Sequence, residues 1–231
     1  MEKDWLQELW QTGRVRDLAQ RDRHCREALE KLGIDTCCGG GHMLAEAARE
    51  RGVSLRALQQ ALAAPSEPVP TLFHADWRRA SSELLVEYIL EMHHAMLREE
   101  LPHLGVLFAR VRVAHPDHAA ELKALHEEYA ALYAELLPHL DLEEQKLFPA
   151  LRRGEIPSDA EVIIRQLETE HTGAGERLRR MHESTGGYRI PAYACPTVEL
   201  LFQGLARLEA GLHEHINLEN NVLFLRALPQ S

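Results

Sequence analysis

From residue 80 onward, apolar residues recur three and four positions apart in four long runs, roughly 80–112, 117–152, 158–184 and 196–227. The connectors hold His115-Pro116, Gly154 with Pro157, and Gly186-Gly187 through Pro196, residues that end helices. Four long helices with short connectors predict a four-helix bundle. Pro102 and Pro138 fall inside two of the runs. Each removes an intrahelical hydrogen bond, so a kink or interruption is expected at both, and one at Pro138 would aim the adjacent His139.

The first 63 residues read as shorter helices. Val15 to Leu32 has a helical period and ends at Gly33, a C-terminal cap. Ile34-Asp-Thr-Cys37-Cys38-Gly-Gly-Gly41 is a turn that opens a helix around Met43 to Glu50. Ser54 caps another helix, with Leu55, Leu58 and Leu62 on one face. The expected organisation is therefore all-α: a small helical domain over 1–63, a proline-rich linker over 64–75, and a bundle over 76–231.

Composition narrows the class. The chain is 45% hydrophobic but only 6% aromatic, as suits a soluble helical protein with an aliphatic core. A net charge of −10 argues against nucleic acid as a partner. No basic-then-apolar leader opens the sequence, and no apolar run approaches the ~18 residues of a membrane span. Four cysteines, two of them adjacent, do not make a secreted disulfide framework. The expectation is a cytoplasmic protein with reduced thiols and no membrane partner. No nucleophile elbow or Ser-His-Asp order is present, and Gly186-Gly187 lacks the context of a phosphate loop.

The chemistry lies in a repeat. His139-Leu-Asp-Leu-Glu143, continuing Glu-Gln-Lys-Leu-Phe148, returns as His215-Ile-Asn-Leu-Glu219, continuing Asn-Asn-Val-Leu-Phe224. The order His, Leu, Glu, Leu, Phe is common to both. Residues four apart lie one turn apart, offset by only ~40°, so each stretch presents an imidazole beside a carboxylate. A second element recurs as Glu91-Met-His-His94 and Glu168-Thr-Glu-His171. Two helical hairpins, each giving one His and then a His/Glu pair, would build a site for iron, manganese or zinc. His93, ~100° around the helix from His94, is expected to point elsewhere.

A rival scheme uses Glu91-x-x-His94 and Glu168-x-x-His171 with single carboxylates Glu143 and Glu219, as ferritin-like sites do. It leaves the best-repeated residues, His139 and His215, without work. The His-rich site is preferred, with Glu91 and Glu168 exposed or peripheral. Glu170 is a candidate acceptor for the outer nitrogen of a bound imidazole, or a solvated surface group. Cys37 and Cys38 read either as small turn residues or as accessible thiols lowered in pKa by the following helix N-terminus, suited to redox or to handling iron or nitrosyl groups. Cys25 and Cys195 read as structural.

These residues resemble the hemerythrin-like di-iron proteins, and more narrowly the family that repairs iron–sulfur clusters. The Cys37-Cys38-Gly-Gly turn is similar to that family's small N-terminal domain. Asp76-Trp77-Arg78, Arg98-Glu-Glu-Leu-Pro102, Glu143 to Pro149 and Glu219 to Phe224 are similar to its bundle signatures, although Leu225 stands where a proline is expected. The resemblance implies a metal set of His94, His115, His139, His171 and His215, with Glu143 and Glu219 as bridging carboxylates; His115 is selected by the resemblance alone. It further implies two non-haem iron ions, cycling between Fe2+ and Fe3+ and bridged by an oxo group and carboxylates. The implied role is repair of iron–sulfur proteins damaged by oxidative or nitrosative stress, by supplying iron, with nitric oxide reduction at the same centre as a related activity. The alternative is a hemerythrin-like carrier or sensor of O2 or nitric oxide without turnover. A homodimer through residues 1–63 is compatible with the sequence, which argues neither for nor against it.

Overall fold

The computed structural model describes residues 4–64 and 77–228. Beyond Ala64, the expected proline-rich linker lies outside the described residues, as does Asp76. Regular structure among the described residues is helical, with one isolated bridge between Arg14 and Met43. None of these helices is long and apolar enough to cross a membrane. The chain divides into two compact units, Met1–Leu85 with Ile216–Ser231, and Val86–His215.

The first unit begins with α1 (Asp4–Thr12), α2 (Val15–Ala19), α3 (Arg23–Lys31), α4 (Leu44–Glu50) and α5 (Leu55–Ala63). The run expected as one helix over Val15 to Leu32 is two. The chain leaves the helix at Gln20 and restarts where Asp22 accepts a hydrogen bond from Cys25 N at 2.7 Å, an aspartate cap that competes with continuation. Gly33 adopts φ +74°, the left-handed cap its position predicts. Ser54 caps α5 by accepting from Ala57 N at 3.2 Å. Leu18, Leu29, Leu44 and Leu58 are fully buried and close a small core.

The long helices follow the four predicted runs. The first is α6 (Ser82–Tyr88), a π segment Ile89–His94, and α7 (Ala95–Ala114). The second is α8 (Ala119–Leu142), a π segment Glu143–Leu147, and α9 (Phe148–Arg152). The third is α10 (Ala160–Ser184), and the fourth is α11 (Pro196–Leu218), a π segment Glu219–Leu223, and α12 (Phe224–Ala227). Within Val86–His215 the core stacks Leu97, Leu101, Leu104 and Phe108 of α7 against Leu125, Tyr129, Leu132 and Leu136 of α8. This is the i, i+4, i+7, i+11 stripe of an amphipathic helix. The pairs Arg177–Glu135 and Arg180–Glu128 run in opposite chain directions, so α8 and α10 are antiparallel.

Neither proline interrupts its helix. An interior proline costs about 3 kcal/mol. Each buried leucine contributes roughly 1.5–3 kcal/mol, and Pro102 lies between Leu101 and Leu104 as Pro138 lies between Leu136 and Leu140. Packing on both sides outweighs the lost bond. The helices depart from α geometry elsewhere, at the three π segments.

Candidate metal centre

All three π segments coincide with candidate ligands: one ends at His94, one begins at Glu143 and one begins at Glu219. A π turn holds one residue more than an α turn, and such turns gather at functional sites. The consequence is clearest at His93 and His94. Neighbours on an α-helix diverge by ~100°, yet these two are 4% and 2% exposed. Their rings stand 5.7 and 5.0 Å from that of His215. The expectation that His93 points elsewhere is thus corrected, because the extra residue turns both side chains inward.

One ligand atom from each of His139, Glu143, His171 and His215 lies within 4.8 Å of the others. Glu143 Oε2 sits 3.4 Å from His94 Nε2 and 3.5 Å from His139 Nε2, between imidazoles of two helices. The Nε2 atoms of His139 and His171 are 3.0 Å apart. Two nitrogens about 2.1 Å from one six-coordinate metal and at right angles would be ~3.0 Å apart. Glu219 follows His215 by one turn on the same helix and is fully buried.

The outer nitrogens are tied down. His94 Nδ1 donates to Glu144 Oε1 at 2.9 Å, and His139 Nδ1 donates to Glu170 Oε2 at 2.7 Å. With the proton outside, Nε2 of each ring keeps its lone pair toward the interior. Burial alone would raise the Glu144 carboxyl, but hydrogen bonds from His94 and Arg98 outweigh it and hold it below its ordinary value. Arg98 also reaches Asp141 at 2.7 Å, bracing the assembly from outside. Sequence reasoning singled out Glu170 but missed Glu144, whose signal was its place beside Glu143 on a helix facing His94. Glu91 is exposed, which removes a carboxylate the ferritin-like scheme needs.

The donor set fits a cation. Burying a carboxylate costs several kcal/mol per charge, a cost that a bound cation offsets. Nitrogen and carboxylate donors together suit iron, manganese or zinc rather than a soft thiolate metal.

One expected metal ligand does not reach this centre. His115 follows the C-terminus of α7, whose 20 residues separate it from His94 by ~30 Å along the axis. Its Nε2 lies instead 3.2 Å from Cys195 Sγ, and the hydrogen bond to His115 lowers the Cys195 thiol to about 7. Cys37 is buried, and its thiol is held above its ordinary value by its hydrogen bond to Cys38 and by desolvation. The anticipated lowering by a helix N-terminus is absent, because only a three-residue turn, Gly39–Gly41, follows the pair.

Within the first unit the cysteine turn is fastened to the segment that begins at Glu219. Asn221 Nδ2 donates to the carbonyls of Thr36 and Cys37 at 3.0 and 3.1 Å. A Cβ at Gly40 would meet Asn221 Oδ1 at 2.2 Å, so only glycine permits the approach.

Comparison with known proteins agrees with this geometry. Residues 85–227 match the hemerythrin HHE cation binding domain, and residues 12–66 match a domain of unknown function, DUF542. The chain is 36% identical over 199 residues to the iron-sulfur cluster repair proteins YtfE of Citrobacter koseri and Escherichia coli O157:H7, covering 86% of this chain and 88% of each relative. The YtfE of Cronobacter sakazakii is 36% identical over 198 residues, with the same coverage. The chain belongs to the hemerythrin HHE cation-binding family and, within it, to the iron–sulfur cluster repair group.

Proposed function

We propose that this protein repairs iron–sulfur clusters damaged by oxidative or nitrosative stress, using a di-iron centre in its helical bundle as the source of iron. The observation that carries the reading is the convergence of His94, His139, His171 and His215 on Glu143, with outer nitrogens fixed by Glu144 and Glu170. Glu219, which the repeat sets one turn beyond His215, would supply a second carboxylate. When bound, iron supplies redox chemistry and an affinity for these ligands that depends on its oxidation state.

The chain's own residues do the rest. Glu144 and Glu170 hold the tautomer that points each Nε2 inward. Phe148, essentially inaccessible and with its ring 5.4 Å from that of His94, keeps bulk water from that donor. Iron is then cargo as well as cofactor, and the damaged cluster protein is its recipient. Reduction of nitric oxide at the same centre is the related activity this donor set would support.

The test is metal content and optical spectrum of protein purified with its native metal, before and after dithionite, followed by transfer to a cluster-damaged recipient. About two irons per chain, a near-ultraviolet absorption that bleaches on reduction, and recovery of the recipient are expected. A single zinc, or iron that never leaves, would overturn the reading; reversible O2 or nitric oxide binding without transfer would favour a carrier.

A further inference from the structure

The cysteine turn holds a second, chemically different set of donors. We propose that Asp35, Cys37 and Cys38 form a binding site of their own for one thiophilic divalent cation, such as ferrous iron or zinc, independent of what the bundle centre holds.

Three distances motivate it. One carboxylate oxygen of Asp35 and the two sulfurs all lie within 4.8 Å of one another. Cys37 Sγ stands 3.2 Å from Asp35 Oδ1 and 3.9 Å from Cys38 Sγ. Two thiolates about 2.3 Å from one tetrahedral metal are ~3.8 Å apart, and a thiolate and a carboxylate oxygen about 3.6 Å apart. The pair therefore already stands near the spacing a shared cation requires.

The surroundings keep that geometry and leave it open. Asp35 Oδ1 accepts from Cys37 N and Cys38 N, each at 3.0 Å, which fixes the carboxylate against the turn. Asn221 holds the carbonyls of Thr36 and Cys37 from behind. A side chain at position 39 would lie 3.1 Å from Asp35 Cβ and 3.3 Å from its Cγ, crowding the carboxylate, and a glycine stands there. Cys37 is buried at the back, whereas Asp35 is exposed and Cys38 partly so, which gives a cation its entry. Three protein ligands leave a fourth position for water or an acceptor's ligand, as a site that passes metal on requires.

Binding balances simply. Two S–H bonds break, two protons go to solvent, two sulfur–metal bonds form, and no electron moves.

Cobalt(II) is the probe, added to the reduced full-length protein. A thiolate-to-cobalt charge-transfer band should appear in the near ultraviolet and saturate at about one cobalt per chain. The His and Glu donors of the bundle contribute nothing to that band. It should persist in Cys195→Ser and in His139→Ala, which removes a bundle donor. It should be lost in Cys38→Ser, whose partly exposed side chain makes misfolding the lesser risk, and in Cys37→Ser. Asp35→Asn, which keeps an oxygen to accept from the turn, should weaken cobalt at least tenfold. Absence of the band in the reduced wild type, its survival in Cys38→Ser, or its loss in His139→Ala would each overturn the proposal. Iron content of the bundle is read separately, so either site can fail without the other.

Discussion

Glu170 accepts a hydrogen bond from His139 Nδ1 at 2.7 Å, which places the imidazole proton on the outer nitrogen and leaves Nε2 directed inward. Partners of this kind typically contribute 10–100-fold to metal affinity. Glu170→Ala is expected to weaken metal binding by about that factor while the helical circular dichroism is unchanged, read by competition with a chelator. Unchanged affinity would make Glu170 a surface group.

His94 and His115 should separate in the same assay. His94→Ala is expected to lower the metal content of the bundle, because its Nε2 faces Glu143 at 3.4 Å. His115→Phe should leave metal content as it is, since α7 carries that residue to the opposite end. Loss of metal in His115→Phe would contradict the placement described above.

The cysteines should react in a fixed order. Cys195 is lowered to about 7, so its alkylation should rise through pH 7 and level off above it. Replacing His115 by Phe should move that midpoint upward toward the ordinary thiol value. Cys25, pushed up to about 12 by burial and by Asp22, should remain unmodified through pH 9 in the folded protein. Peptide mass spectrometry after timed iodoacetamide exposure distinguishes them.

Glu128 receives Arg180 at 2.9 and 3.1 Å and Arg177 at 3.3 Å, and these hydrogen bonds hold its carboxyl below the ordinary value. A depressed carboxyl stabilises the folded state above its unfolded pKa, and the contribution is lost as pH falls through the folded pKa. Glu128→Gln should therefore cost about 0.5–1 kcal/mol at pH 7, given the partial exposure of the pair, and nearly nothing near pH 3. Urea unfolding at the two pH values provides the comparison.

Asn221→Ala should loosen the cysteine turn. It strips donors from two buried carbonyls and from Asn217 Oδ1 at 2.9 Å, at a cost of about 1–3 kcal/mol. Faster hydrogen exchange at the amides of residues 36–41 is the expected mark.

The long helices were legible because bundle helices carry an unbroken 3.6-residue period, and the ligands because His139/Glu143 and His215/Glu219 repeat one spacing within it. The π segments were not legible, since one surplus residue shifts the phase without altering composition. His93 was misjudged for that reason. Neither Pro102 nor Pro138 interrupts its helix, because the leucines packed beside each outweigh the lost hydrogen bond that a local rule counts. The burial of Cys37 was not legible because its turn is held by a residue more than 180 positions away, Asn221, which bonds its carbonyl. Nor did the sequence show that Ile216–Ser231 would group with the N-terminal segment, although Gln20 and Asn221 are hydrogen-bonded there.

The three π turns make this protein sensitive to length where it is tolerant of spelling. Removing one residue from Glu143–Leu147 would let the helix close as an ordinary α-helix, with the turns beyond it nearly in phase and only the residues inside the segment re-aimed. Phe148 and Leu151 would keep their buried places, while Glu143 would lose the turn that begins at it. A substitution in the same segment at an exposed position, such as Lys146, would leave the phase intact. Loss of one residue here is thus a change that the scaffold absorbs and the site does not, and a redesign that idealised these helices would lose the site while improving the scaffold.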